Sequence, residues 1–129
     1  MNADERRKKL DSITESIIGR AQRVSNVLGC GFLEKVYENA LTIELRKTGL
    51  VADQQHEIAV RYGDQVVGQY TADLLVENCV IVELKAVSEL DPIHRAQCMN
   101  YLKATGLHVC LLINFGRPKI DVKRIVLDY

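Results

Sequence analysis

Two acids and a lysine interrupt two stretches of the sequence that are otherwise largely apolar. Asp73 lies in residues 70–76 (YTADLLV), and Glu83 and Lys85 lie in residues 79–86 (CVIVELKA). Residues two apart on a β-strand share a face, so Glu83 and Lys85 should point the same way. If residues 77–79 form the loop of a hairpin, Asp73 lies directly opposite Glu83 on that face.

This arrangement would bring two carboxylates together, and like charges repel unless a proton or a cation joins them. A divalent metal with oxygen ligands relieves the repulsion, and Lys85 beside it can hold an anion or a water molecule. The structural alternative is a surface ion pair on an edge strand, since a chain with 26% charged residues produces such triplets by chance. The residues alone leave both interpretations open.

The first third of the chain predicts two helices. Apolar residues at spacings of three and four form one stripe, which comprises Leu10, Ile13, Ile17, Ala21, Val24 and Leu28. Residues 29–31 (GCG) should break this helix, and a second helix should cover residues 33–47. The charged residues 1–9 are predicted to form a frayed or extended basic N-terminus.

The remainder of the chain predicts strands around one helix. Loosely alternating or β-branched and apolar residues predict strands at 56–62, 66–76 and 80–86. A turn is marked by Gly63-Asp64. Asp91 and Pro92 should cap a helix that ends before Gly106, followed by a buried strand at 108–115 and a last strand at 119–127. The order α-α-β-β-β-α-β-β implies an α/β (α+β) domain with a central mixed sheet flanked by helices.

Composition limits the classes of function. The 129 residues amount to one domain, and 17 basic and 17 acidic residues give a formal net charge of zero. A whole-surface attraction to nucleic acid or to anionic membrane is therefore excluded, and a polyanion must bind at a local patch. No apolar run reaches the roughly 18 residues of a membrane helix, and four scattered cysteines suit the cytoplasm, where we expect this protein to act.

Several motifs resemble a known family. Asp73 followed by Glu83-Leu84-Lys85 is similar to the D…ExK core of the PD-(D/E)XK nuclease superfamily. Residues 31–37 (GFLEKVY) match the motif that names the GxxExxY family, small prokaryotic proteins placed in that superfamily. The resemblance continues through residues 70–76, 82–86, 96–104 and 112–116. One departure is Ala72, which stands where the superfamily has proline.

The resemblance implies a restriction-endonuclease-like fold and a metal site. Asp73 and Glu83 would ligate Mg²⁺ or Mn²⁺ together with the backbone carbonyl of Leu84. Glu34, on the second helix, resembles the acid that completes the site in such proteins. Taken alone, however, an acid in the first turn of a helix is explained by the helix dipole.

The resemblance also implies roles for Lys85 and Gln97. Lys85 would position or deprotonate the attacking water, and Gln97 would contact substrate or water. Gln97 shares a predicted helical stripe with His94 and Tyr101, opposite the apolar side, and a histidine there is more often a surface residue than a catalyst. Tyr37 is interpreted as core packing.

The function implied is hydrolysis of phosphodiester bonds in nucleic acid by a metal-activated water. DNA is favoured over RNA as the partner. Binding is expected to be weak and salt-sensitive, because the basic residues at 6–9 and 117–124 are more simply explained as solvated faces or frayed ends. Few aromatic residues and no Trp also provide poorly for the stacking of single-strand bases. One alternative is a non-catalytic module that binds nucleic acid or protein and retains the fold. A hydrolase of nucleotides or small phosphoesters, a homodimer and a partner protein also stay open.

Overall fold

A computed structural model describes residues 1–129 and confirms the predicted order of elements. The three helices and five strands are α1 (Ala3–Leu28), α2 (Glu34–Lys47), β1 (Ala52–Tyr62), β2 (Gln65–Val76), β3 (Val80–Lys85), α3 (Pro92–Thr105), β4 (Val109–Asn114) and β5 (Asp121–Val126). None of the helices combines the length and apolar composition needed to cross a membrane.

The five strands form one mixed sheet in the order β1-β2-β3-β4-β5. Neighbouring strands are antiparallel except β3 and β4, which run parallel and are connected through α3. The strand that carries the ExK triplet, β3, is therefore the central strand of the sheet. All six residues of β4 are buried, as the apolar run predicted.

Helices cover both faces of the sheet and create two core clusters. The larger cluster packs α1 and α2 against one face, where the predicted α1 stripe is buried from Leu10 to Val24. The smaller cluster packs α3 against the other face, around Leu102 and Leu112. A side chain of β3 therefore faces either α1 and α2 or α3, according to its position in the alternation.

The N-terminus differs from the expectation of a frayed or extended segment. The helix begins at Ala3, and the Asn2 side chain caps it by accepting a hydrogen bond from the Glu5 N–H at 2.8 Å. Arg6 and Arg7 donate to the carbonyl oxygen of Tyr129 at 2.9 and 2.7 Å. The prediction was wrong because these cations bind the far end of the chain, a contact that local sequence does not reveal.

The predicted hairpin loop at residues 77–79 is confirmed, and it fixes the register of the site strands. Glu77 and Asn78 both adopt left-handed conformations, with φ of 52° and 57°, which turn the chain tightly. Leu74 pairs with Val82 and Val76 pairs with Val80. Continuing this register places Asp73 opposite Glu83, as the sequence predicted.

Candidate active site

Asp73 and Glu83 are joined by hydrogen bonds between side chain and backbone. The N–H of Asp73 donates to Oε1 of Glu83 at 2.9 Å, and the N–H of Leu84 donates to Oδ2 of Asp73 at 2.8 Å. The backbone pairing of β2 and β3 ends at Leu74 and Val82. Just beyond it, one oxygen of each carboxylate accepts a backbone hydrogen bond from the opposite strand. The second oxygen of each carboxylate accepts no hydrogen bond from the protein.

A break in the β1–β2 ladder makes this arrangement possible. Gln54 pairs with Leu74 and His56 pairs with Ala72, but Gln55, with φ of 55°, does not pair with Asp73. Leu74 belongs to the cluster under α1 and α2, whereas Ala72 belongs to the cluster under α3. The strand therefore changes face at Asp73, and the N–H of Asp73 is free to bind Glu83.

Burial and like charge shift the titration of both acids. Only 4% of Glu83 is exposed, and its burial, reinforced by the Asp73 charge, raises the pKa of Glu83 to about 8. Burial also raises the pKa of Asp73, and the charges of Glu38 and Glu34 act in the same direction. The neutral, protonated form of each carboxyl is therefore favoured more than it is in water. This is expected of two neighbouring buried carboxylates when no cation lies between them.

Lys85 lies on the same strand face, as predicted, but does not neutralise the acids by direct contact. It is half-buried and forms no ion pair within 4.0 Å, although its charge lowers the pKa of both Asp73 and Glu83. The alternative of a surface ion pair on an edge strand is therefore wrong, since β3 is central and Glu83 is buried.

Glu34 lies in the first turn of α2 and is exposed. Its charge contributes to the raised pKa of Asp73 and of Glu83. No group of three His, Cys, Asp or Glu side chains in the structure is close enough to hold an ion together. Glu34 as a third ligand therefore stays a prediction from the resemblance.

Glu38, one turn beyond Glu34 on α2, is a residue that the sequence interpretation missed. Only 3% of it is exposed, and its carboxylate accepts hydrogen bonds from Gln54 at 2.6 Å, Gln55 at 2.7 Å and Lys35 at 2.8 Å. Neighbouring strand residues normally point to opposite faces, but the left-handed Gln55 lets both amides reach one acceptor. The sequence signal that could have identified Glu38 is its position one helical turn after the acid Glu34.

Tyr37 is structural, as expected. Its hydroxyl donates to the Gly29 carbonyl at 2.7 Å and accepts from the Phe32 N–H at 3.2 Å, so it closes the loop before α2. The ring is fully buried and stacks on Phe115, with centroids 4.7 Å apart.

Gln97, His94 and Tyr101 share one stripe of α3, and all three line a groove beside β1 and β2. The Nδ1 atom of His94 accepts a hydrogen bond from the Asp91 N–H at 3.1 Å, so His94 helps to cap the helix. The stripe does not lie opposite the apolar side of α3 as predicted, because Tyr101 is buried and packs in the core cluster under α3. No hydrogen bond joins Gln97 to Asp73 or Glu83.

The donor set fits a small divalent cation. Mg²⁺ is commonly bound by one or two carboxylates and keeps several waters for the rest of its coordination shell. Asp73 and Glu83 supply two such carboxylates, each with one oxygen not engaged by the protein. Burial raises the pKa of both acids, and a cation held between them would favour their ionised forms.

Paired acids and a lysine thus lie at the centre of a mixed sheet that helices cover on both faces, in an α/β domain. The chain belongs to the PD-(D/E)XK nuclease superfamily, whose family model matches residues 11–125. The matched model is that of the superfamily, and membership in the narrower GxxExxY family stays a prediction.

Solved structures show the same fold at low sequence identity. The chain is similar to the crystal structure of SSO0001, with a TM-score of 0.57 and 20% identity over 74% of this chain, and it spans about half (52%) of that longer protein. It is also similar to the alkaline exonuclease LHK-Exo from Laribacter hongkongensis in complex with dAMP, with a TM-score of 0.51 and 15% identity over 89% of this chain and 83% of that one. No curated protein matches the sequence.

Proposed function

We propose that this protein is a divalent-metal-dependent nuclease that hydrolyses phosphodiester bonds in nucleic acid. The observation that carries the proposal is the Asp73–Glu83 pair, held with one oxygen of each carboxylate unengaged and with Lys85 on the same face. The family and the fold support this assignment. The structure of the similar exonuclease contains dAMP, and this deoxynucleotide supports DNA as the substrate.

In this proposal Asp73 and Glu83 hold Mg²⁺ or Mn²⁺, and the carbonyl of Leu84 is a further oxygen ligand. The bound cation supplies positive charge at the phosphate and lowers the pKa of a water molecule at the site. The backbone N–H groups of Asp73 and Leu84 fix the orientation of the two carboxylates, so the ligands need little reorganisation.

Lys85 acts on the substrate in this mechanism because it has no acid partner of its own. An ammonium group within hydrogen-bond reach of the attacking water can orient it, and its charge offsets the negative charge that develops on the phosphate. The water would attack phosphorus in line with the leaving oxygen, giving up a proton to bulk solvent, and the P–O bond to the leaving oxygen would break as that oxygen takes a proton from solvent. Gln97, in the groove beside the site, is proposed to contact the substrate.

The test is cleavage of labelled single- and double-stranded DNA and RNA with Mg²⁺ or Mn²⁺. We expect cleavage by the wild type and by Glu15→Gln, which changes an exposed acid on α1. Glu83→Gln should be inactive while still folded, because the wild-type carboxyl already favours its neutral form. Equal cleavage by wild type and Glu83→Gln would overturn the proposal.

One observation favours a second candidate, a non-catalytic nucleic-acid-binding or protein-interaction module with the nuclease fold. Only two acids are placed to hold an ion, since Glu34 is exposed and completes no cluster of three. Wild-type protein that binds nucleic acid but cleaves none of the four substrates with either metal would support this candidate.

A further inference from the structure

A groove runs between α3 and the outer half of the β1–β2 hairpin. One part encloses about 370 Å³ and is lined by Val60, Tyr70, Gln97 and Tyr101, among others. An adjoining part, which shares Tyr70 and Val60, encloses about 600 Å³. Each part lies in the range of sites that bind small molecules, so the groove is large enough for a nucleotide unit.

An aromatic side chain in this groove is open to solvent. Tyr70 is 52% exposed although it lies on a paired strand, opposite Ile58. Its ring lies 6.1 Å from the buried Tyr101 ring at a tilt of 57°, so one side of Tyr70 is supported by the core. Gly68, one pleat away, contributes no side chain to cover Tyr70.

The charge of the groove is positive, although the whole chain is neutral. Arg61 and Lys103 line the adjoining part, and neither forms an ion pair. No acidic residue lines either part of the groove. The α3 helix contains no Asp or Glu and carries His94, Arg95 and Lys103. This is the local patch that a polyanion needs on a protein without net charge.

Tyr101 connects the groove to the paired acids. Its hydroxyl donates to the Thr71 carbonyl at 3.5 Å, two residues before Asp73 on β2. Burial raises the pKa of the Tyr101 hydroxyl, and the charges of Glu83 and Asp73 contribute, so both acids lie near it. The groove therefore has Arg61 and Lys103 in its adjoining part, and its Tyr101 side lies toward the segment of β2 that carries Asp73.

We propose that this groove binds single-stranded nucleic acid, with an unpaired base stacked on Tyr70 and phosphates beside Arg61 and Lys103. The proposal rests on the proposed function and names the form of the substrate. Every unpaired base offers a face that can stack on an aromatic ring, whereas in a duplex the neighbouring bases cover these faces. The groove thus favours a single strand over a duplex.

Fluorescence anisotropy in EDTA tests binding without cleavage. The probes are labelled oligothymidylate and oligouridylate of about 12 nucleotides, within the usual range of single-strand sites, and a duplex of the same length. We expect wild type to prefer the single strands. Tyr70→Ala should weaken single-strand binding about 5- to 150-fold, the loss typical of one stacking ring, whereas Tyr70→Phe retains the ring and should bind as wild type does.

Salt dependence tests the phosphate contact separately. Lys103→Gln should lower the slope of log affinity against log salt by about 0.7, the value for one neutralised phosphate of a single strand. The matched control is Lys47→Gln on α2, on the opposite face of the sheet, which should leave the slope unchanged. Melting temperatures establish that each variant is folded, which is expected for exposed positions.

The outcomes separate this proposal from the catalytic one. Single-strand binding that is absent in wild type, or equal in wild type and Tyr70→Ala, would overturn the groove assignment even if the protein cleaves nucleic acid. Duplex binding with the same dependence on Tyr70 would also overturn it. Binding that depends on Tyr70 without any cleavage would support the groove and contradict the proposed catalysis.

Discussion

Asn114 binds both backbone polar groups of Val87. Its Nδ2 donates to the Val87 carbonyl at 2.8 Å, and its Oδ1 accepts from the Val87 N–H at 3.0 Å. The same Oδ1 accepts from the Gly116 N–H at 3.0 Å, and the Phe115 N–H donates to the Lys85 carbonyl at 2.8 Å. The fully buried Asn114 thereby continues the pairing of β3 and β4 beyond Lys85. It also holds in place the segment of chain that follows Lys85.

Gly116→Ala should destabilise the protein because the chain has no room at this position. A Cβ atom there would collide with the backbone carbonyl and amide nitrogen of Val87, so the backbone after Lys85 must move. The matched control is Gly19→Ala in α1, where nothing lies within 4 Å and the change should stabilise by about 0.5–1 kcal/mol. Thermal melting of both variants checks this, and a Gly116→Ala variant as stable as wild type would contradict it.

Lys85→Met should abolish turnover while metal binding and stability are retained. Lys85 forms no ion pair, so its removal leaves no partner stranded in the sheet, and Met has a similar volume. Thermal melting with and without Mg²⁺, beside a cleavage assay, provides the measurement. A variant that melts far below wild type and is not rescued by metal would show that Lys85 is structural.

Asp73→Asn should abolish the binding of Mg²⁺ and Mn²⁺. The change preserves shape and one acceptor oxygen for the Leu84 N–H but removes half of the anionic donor set. Titration calorimetry is the measurement, with Glu15→Gln as the folded control. Equal heats for wild type and Asp73→Asn would remove these residues from the metal site.

Without metal, the stability of the protein should fall as the pH rises. Burial raises the pKa of Glu83 from 4.5 to about 8, so folding favours the neutral carboxyl. Its contribution is fully present below pH 4.5 and is lost as the pH rises through about 8. The raised pKa of Asp73 acts in the same direction.

The measurement is the melting temperature of wild type and Glu83→Gln between pH 4.5 and about 8 in EDTA. The variant does not titrate at this position, so its melting temperature should fall less over the range. Added Mg²⁺ should stabilise the wild type most at the upper end, because metal binding requires deprotonated ligands. Parallel profiles for the two proteins would contradict the shifted titration of Glu83.

Glu38→Gln and Glu34→Gln should differ in their effect on stability, although the two acids lie one turn apart on α2. Glu38 is buried with three donors. An amide group would keep one acceptor oxygen but oppose its NH₂ to the donor of either Gln54 or Gln55, at a cost of about 2–3 kcal/mol. Glu34 is exposed, so its replacement should stay within about 0.5 kcal/mol. Urea denaturation measures both, and equal losses would show that the amides do not depend on Glu38.

The order of the elements and the pairing of the two acids follow from local patterns in the amino-acid sequence. Apolar stripes predict helices, and alternation with turn residues predicts strands, because both patterns depend on contacts within a few positions. The three-residue hairpin loop then fixed the register that sets Asp73 opposite Glu83. The resemblance added the metal-ligand roles, which periodicity alone could not provide.

Other features depend on contacts between distant parts of the folded chain. The left-handed Gln55, the buried Glu38 beside it and the attachment of Arg6 to the chain terminus all depend on residues far apart in sequence. Whether Lys85 has an acid partner was equally undetermined, because it depends on how β3, β4 and α3 pack around it. Local patterns report which face a residue prefers, but only the packed sheet decides which charges meet there and which are left free for a ligand.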